Sequence, residues 1–353
     1  MKNDQIINGL NEYIGDRYQP CEYPALRQQT TEWSESKPLA GIRILDNTPL
    51  FTNTLLKYIP LLSGGAELTL AISERTPYDS SLIPVMRSLG IRVIENCNQG
   101  DFDCILDCGG SHAHLKPRYG YAELTRSGYY HYKDTELPVI LVDDSRIKAI
   151  ETCLGTGDGF LRAMKQLGHK DFTNRKIIVF GFGKVGCGIV YYAMKEGAEV
   201  RIVDEPGTLI PPGTELISRY DSDAIAAAVR QAWCVVTATG IRDAMLQNGA
   251  AEEILAGKQL VAAMGIENEW GSSLPEERIL NHNIPLNFIL EEPTRLRYID
   301  PTMALSNVAA LALLSGKIPP GVNRIAPETE KFYMDIVENE GLITEDLKGA
   351  GLI

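Results

Sequence analysis

Three glycines set the first chemical expectation. Gly181, Gly183 and Gly186 stand in the run Gly181-Phe182-Gly183-Lys184-Val185-Gly186, directly after the apolar stretch 176–180. A helix-like stretch follows to about Glu196, and Gly197 stands where a helix-ending glycine belongs. The next β-type run, 199–203, leads into Asp204. Strand, glycine turn, helix, strand and acid, in that order, spell a dinucleotide-binding βαβ unit. Gly181 permits the tight turn. Gly183 lets the backbone approach a pyrophosphate at the positive end of the helix. Gly186 lets helix and strand pack closely. Asp204, 21 residues after Gly183, can accept from a ribose 2′-OH and would repel a 2′-phosphate. Glu205 adds to that repulsion, so the expected cofactor is NAD rather than NADP. The competing reading is a glycine turn in an unrelated α/β sheet. The flanking elements and the acid at its proper distance argue against it. Lys184 faces either the pyrophosphate or solvent.

A second cluster follows the apolar run 104–106. Asp107, Cys108, His112 and His114 fall at what would be the carboxyl edge of a sheet, where doubly wound folds present ligands. An HxH pair can bind a metal, but no third ligand is evident, and no metal site is expected. The histidines polarise a carbonyl, hold a carboxylate, or are plain loop residues. Asp107 is either functional or a strand-end carboxylate capping backbone amides. Cys108 has no base near it in sequence and reads as an inert thiol.

The elements needed to position these groups are legible as alternating patterns. Runs 42–45, 67–72, 92–95, 104–106 and 138–142 read as short buried strands, and residues 51–63 carry helical spacing. The pattern restarts with strand candidates at 176–180, 199–203, 234–237, 259–263 and 286–290. Residues 303–314 and 328–339 look helical. Short apolar strands separated by helices imply parallel sheets covered on both faces. The expected fold is α/β, with two doubly wound Rossmann-like domains and an interdomain cleft. The joining segment carries Gly155, Gly157 and Gly159, which suggests a break, a hinge or close backbone packing.

Bulk properties narrow the function. The chain has 353 residues and a formal net charge of −12. An acidic surface repels phosphate backbones and anionic membranes, so neither a nucleic-acid nor a membrane partner is expected. No apolar stretch approaches the ~20 residues that cross a bilayer. The seven cysteines include no CxxC pair. They read as small buried hydrophobes in a reducing compartment, and the cytoplasm is the expected location.

With these motifs in order, the chain resembles the S-adenosylhomocysteine hydrolase (adenosylhomocysteinase) family. The segments WSESKPLAGIRI, LDCGGS, LVDDSRIKAIETCLGTGDGF, VFGFGKVGCG, TATG, MGIENEW and DPTMALSN are similar to that family's segments, in its order. The resemblance implies a substrate domain from residues 1–150 plus about 301–353, and an NAD domain from about 151–300. It implies a homo-oligomer, a dimer or tetramer. It places Lys148 as the lysine that helps move the hydroxyl proton and Glu151 at the paired acid. It places Asp204, Thr237, Thr239 and Met264 beside NAD. The departures are many. The family's catalytic and substrate-binding positions hold Pro49, Phe51, Asn53, Cys108, Leu124, Ile266 and Asp300. Adenosylhomocysteine is therefore not the expected substrate.

Lys148 is the expected general acid/base, with Glu151 on the same helical face to orient it. The alternative is a solvated surface ion pair. His112 and Asp107 complete the candidate catalytic set. Asp300 either faces a nicotinamide carboxamide or N-caps a helix starting at Pro301, and the cap is the favoured role. Arg295 and Arg297 meet an anionic substrate or lie on the surface. The expected function is an NAD-dependent oxidoreductase moving a hydride at a secondary alcohol or amine carbon of a small polar metabolite. The alternatives are a hydrolase or lyase with an internal NAD redox cycle, and a non-catalytic NAD-binding regulator.

Overall fold

The computed structural model describes residues 2–73 and 76–353. They form two compact units, each with its own parallel sheet. The first comprises Met1–Ala149 and Arg295–Glu345; the second comprises Ile150–Thr294 and Asp346–Ile353.

The first unit carries strands β1 (Arg43–Asp46), β2 (Glu67–Ile72), β3 (Arg92–Glu95), β4 (Cys104–Asp107), β5 (Gly120–Glu123), β6 (Pro138–Leu141) and β12 (Gly321–Arg324). The second carries β7 (Lys176–Phe180), β8 (Glu199–Asp204), β9 (Glu215–Ser218), β10 (Cys234–Thr237) and β11 (Leu260–Ala263). The sheet orders are β12-β6-β5-β4-β1-β2-β3 and β11-β10-β7-β8-β9. Every pairing is parallel. In both sheets the winding reverses direction, between β1 and β4 and between β7 and β10. Such a switch point opens a crevice at the carboxyl ends of the strands. Two Rossmann-like domains are thus present.

Most of the strands are where the apolar runs put them. β5, β9 and β12 are not legible in the sequence. β9 and β12 are short, partly exposed edge strands, and β5, though buried, begins with a glycine at φ +132°. The expected strand at 286–290 is instead a 3₁₀ turn, Leu286–Ile289, with Asn287 buried and its amide donating to the Pro293 carbonyl. The run Pro285-Leu286-Asn287 supplies one buried apolar anchor rather than a strand face. The expected helix start at Pro301 is also corrected. The helix spans Leu296–Leu314 with Pro301 inside it. Leu296, Tyr298, Thr302 and Leu305 are all buried, and that packing outweighs the ~3 kcal/mol a mid-helix proline costs. The last eight residues group with the second unit rather than the first.

Gly157 and Gly159 of the joining segment serve close packing. A π-helical turn, Ile150–Gly155, runs into the helix Thr156–Gln166. That helix lies against the helix Lys184–Lys195, which follows the turn from Gly181 to Gly186. A Cβ on Gly188 would fall 1.8 Å from the Cys153 carbonyl oxygen, and one on Gly157 would fall 2.4 Å from Gly188 backbone. Backbone meets backbone here with no room for a side chain. Gly188→Ala is expected to lower stability by roughly 1–3 kcal/mol through overpacking. Urea unfolding checks this, and an unchanged midpoint would contradict it.

Candidate functional site

The turn from Gly181 to Gly186 sits at the switch point of the second sheet. The Gly181 amide donates to the Val203 carbonyl at 2.9 Å, and the Ala238 amide to the Phe180 carbonyl at 2.8 Å. Gly181 has φ +90°, and a Cβ there would lie 2.6 Å from the Ala238 oxygen. A Cβ on Gly186 would lie 1.9 Å from the Gly181 oxygen, whereas one on Gly183 would meet nothing within 4 Å. Two glycines are demanded by the protein's own packing. The third leaves open space in front of the helix N-terminus, where an anion is favoured. Phe182 and Val185 are half-buried and Lys184 is exposed.

Asp204 is half-buried at the end of β8. One carboxylate oxygen accepts the Phe182 amide. The other accepts from the Glu205 amide at 2.7 Å and the Thr208 hydroxyl at 3.2 Å. A carboxylate has about four acceptor sites, so one remains for a ribose hydroxyl. Glu205 behaves differently from expectation. Its carboxylate pairs with Arg219 at 3.2 Å and accepts from the Tyr220 hydroxyl at 2.8 Å. That pairing partly neutralises the Glu205 charge. Thr237 and Met264 are buried, and Thr239 is half-buried.

In the first unit, Asp107 is a hub. Its buried carboxylate accepts the amides of Cys108 and His112 at 2.9 and 2.8 Å. It also accepts from the Tyr132 hydroxyl at 2.5 Å and the Asn47 side chain at 3.0 Å, and meets His112 Nδ1 at 3.2 Å. Burial pushes its pKa up. The hydrogen bond and charge of His112 and the Tyr132 hydroxyl outweigh that and hold it below the usual carboxylate range. His112 thereby has Nδ1 committed to Asp107. It lines a cavity of about 380 Å³ with Ser73, Asn96, Ser111, His114 and His131. His114 Nε2 meets the Cys97 carbonyl at 3.2 Å. Among the described residues no group of three or more His, Cys, Asp or Glu could hold a metal ion.

Several groups escaped the sequence reading. Glu123, on the unforeseen β5, is buried and accepts the amides of Gly109 and Gly110, both at 3.0 Å. Burial, with Asp107 nearby, raises its pKa to about 7. Lys57 and Asp46 form a fully buried ion pair. Glu269 is buried beneath the loop 237–240. Glu269 lies in the segment MGIENEW, where nothing local marks it out from Glu267, and Glu123 carries no signal.

Lys148 is buried in the short helix Arg146–Ala149, and its amide donates to the Ser145 hydroxyl oxygen at 3.0 Å. Glu151 lies in the π-helical turn, so the regular helical face expected to carry both residues is interrupted. A solvated surface pair is excluded for Lys148 by its burial. Arg297 pairs with Glu22 at 2.9 Å, and Arg295 precedes the first turn of the long helix. Cys108 is half-buried.

Asp300 corrects the sequence reading most. It caps no helix at Pro301. Its carboxylate accepts the amides of Ala25 and Leu26, at 3.0 and 2.9 Å, in the first turn of the helix Pro24–Ser36. Burial raises its pKa to about 7, and the two amide bonds only partly offset that. A folded pKa above the unfolded value near 3.9 favours the folded state in acid. The contribution is complete below about pH 4 and is lost as pH rises through 7. Asp300→Asn is expected to flatten part of that decline, Glu123 supplying another part. Urea unfolding from pH 4 to 8 checks this, and an unaltered slope would contradict it.

No family model matches the chain. Adenosylhomocysteinase of Pyrococcus abyssi is 26% identical over 254 residues, 62% of this chain and 58% of that protein. Adenosylhomocysteinase of Thermoplasma acidophilum is 23% identical over 75% of this chain and 72% of its own. S-Inosyl-L-homocysteine hydrolase of Methanopyrus kandleri is 23% identical over 92% and 89%. The match thus spans less than two thirds of the Pyrococcus relative's length. Among solved structures, a dipicolinate synthase component from Bacillus halodurans superposes with a TM-score of 0.53 at 14% identity, over 78% of this chain and 99% of that one. That likeness concerns the fold. The chain is an α/β protein of two Rossmann-like domains and a distant relative of the adenosylhomocysteinase superfamily, and the relatives compared are enzymes.

Proposed function

We propose that the protein is an NAD-dependent oxidoreductase on an adenosylhomocysteinase-like scaffold. It moves a hydride between nicotinamide C4 and a secondary alcohol or amine carbon of a small polar metabolite. The observation that carries the reading is the turn at Gly181, Gly183 and Gly186, open at Gly183 and flanked by Asp204 with an acceptor site to spare. NAD fits this donor and acceptor set, and when bound it supplies the hydride acceptor. Gly183 and the first amides of the Lys184–Lys195 helix hold the pyrophosphate. Asp204 takes the ribose hydroxyl and disfavours a 2′-phosphate.

Lys148 holds and moves the substrate proton. A free lysine, with a pKa near 10.4, is too basic for efficient exchange at neutral pH. Asp107 fixes the His112 imidazole, which lines a polar cavity. The names of the relatives favour a second reading, a hydrolase whose internal redox cycle returns NAD unchanged.

Denaturing the purified protein and assaying released nucleotide separates the two. Stoichiometric NAD or NADH supports the hydrolase; an empty protein that binds NADH reversibly supports the dehydrogenase. NADH is expected to bind at least tenfold more tightly than NADPH, and Asp204→Asn to narrow that gap, by fluorescence titration. Equal wild-type affinities would refute the role of Asp204. In a screen of secondary alcohols followed by nicotinamide absorbance, Lys148→Met is expected to slow turnover by roughly 100-fold or more. Unchanged turnover would remove Lys148 from the mechanism.

A further inference from the structure

Glu269 lies within the segment MGIENEW, but no role has been given to it so far. It lies after β11, in the turn that begins at Gly265, and is fully buried. Its carboxylate accepts the Gly240 amide at 2.7 Å and the Thr239 amide at 3.2 Å. Those amides belong to the loop that leaves β10 on the far side of the sheet's switch point. Room for the carboxylate comes from Gly265, where a Cβ would fall 2.1 Å from Glu269 Oε1.

The loop so held is in contact with the phosphate turn. A Cβ on Gly181 would lie 2.6 Å from the Ala238 oxygen and 2.9 Å from Thr239 Cα. A drift of the loop toward β7 therefore collides with the Gly181 turn, and a drift away opens a gap beside it. Two converging N–H donors demand two acceptors on one side chain. A carboxylate supplies both. A carboxamide supplies one and turns an N–H against the second donor. The acid is buried despite its desolvation penalty, which raises its pKa above the usual carboxylate range.

We propose that Glu269 is a positioning residue that fixes the 237–240 loop in the shape that, with the phosphate turn, receives the dinucleotide. This rests on the reading of that turn as an NAD site. Glu269 touches the loop backbone and acts on the ligand only through it.

Glu269→Gln tests the idea. NADH affinity is measured by fluorescence titration, and exchange of the Thr239 and Gly240 amides by NMR. The expected result is roughly tenfold weaker NADH binding, matching the loss of one charge-assisted hydrogen bond, with faster exchange at those two amides. Glu269→Asp, with two acceptors on a shorter stem, is expected to fall between wild type and E269Q, and it serves alone should E269Q not fold. Unchanged NADH affinity in both variants overturns the proposal, as does a lower melting temperature with affinity intact. If the wild type itself fails to bind NADH, the reading of the phosphate turn fails instead. In that case unchanged amide exchange in E269Q overturns the role of Glu269.

Discussion

The carboxylate of Asp300 on the amides of Ala25 and Leu26 is the constraint on which the first unit depends. It ties the helix Leu296–Leu314 to a helix from the opposite end of the chain, 275 residues away. Around it, Gln29 donates to the Ala304 carbonyl and Asn307 donates to Gln29 and to the Lys57 carbonyl. These bonds are buried, so each unmade partner would carry its full desolvation penalty. They make one unit of two segments that the second unit separates in sequence. The seven-stranded sheet needs that union, because β12 comes from the later segment.

The same device recurs at three loops that follow strands. Glu123 grips the Gly109 and Gly110 amides, Asp204 the Phe182 amide, Glu269 the Thr239 and Gly240 amides. In each case a carboxylate takes N–H groups that a turn at a strand's carboxyl end leaves unpaired. Asp107 extends this to side chains and orders Tyr132, Asn47 and His112 at once. Loops at sheet edges are ordinarily the mobile part of a doubly wound fold. Here the loops nearest the switch points are anchored from below.

What the sequence shows follows from local chemistry. The turn at Gly181, Gly183 and Gly186 is readable because its glycines, helix and acid are neighbours in the chain. β2, β7 and β10 are readable because buried parallel strands are near-continuous apolar runs. The partners of Asp107 are only partly legible: His112 is near, but Tyr132 and Asn47 come from other elements. Asp300 misleads because an acid before proline is a common helix cap, and nothing local says that it serves a helix 275 residues away. Glu123 is hidden with its strand, since Gly120 breaks the apolar run. Glu205 reads as a free charge because its partner Arg219 arrives from beyond β9.

Placing the second unit's main segment between the two parts of the first sets an order in time. Residues 150–294 are complete before Asp300 is made. At roughly 5–20 residues per second of synthesis, the amides of Ala25 and Leu26 wait on the order of ten to sixty seconds for their acceptor. The sheet of β7 to β11 can close during that interval. The strands β1 to β6 must remain without the long buried helix that covers them. The nascent first unit is therefore the part of this chain that a ribosome-associated chaperone has reason to shield.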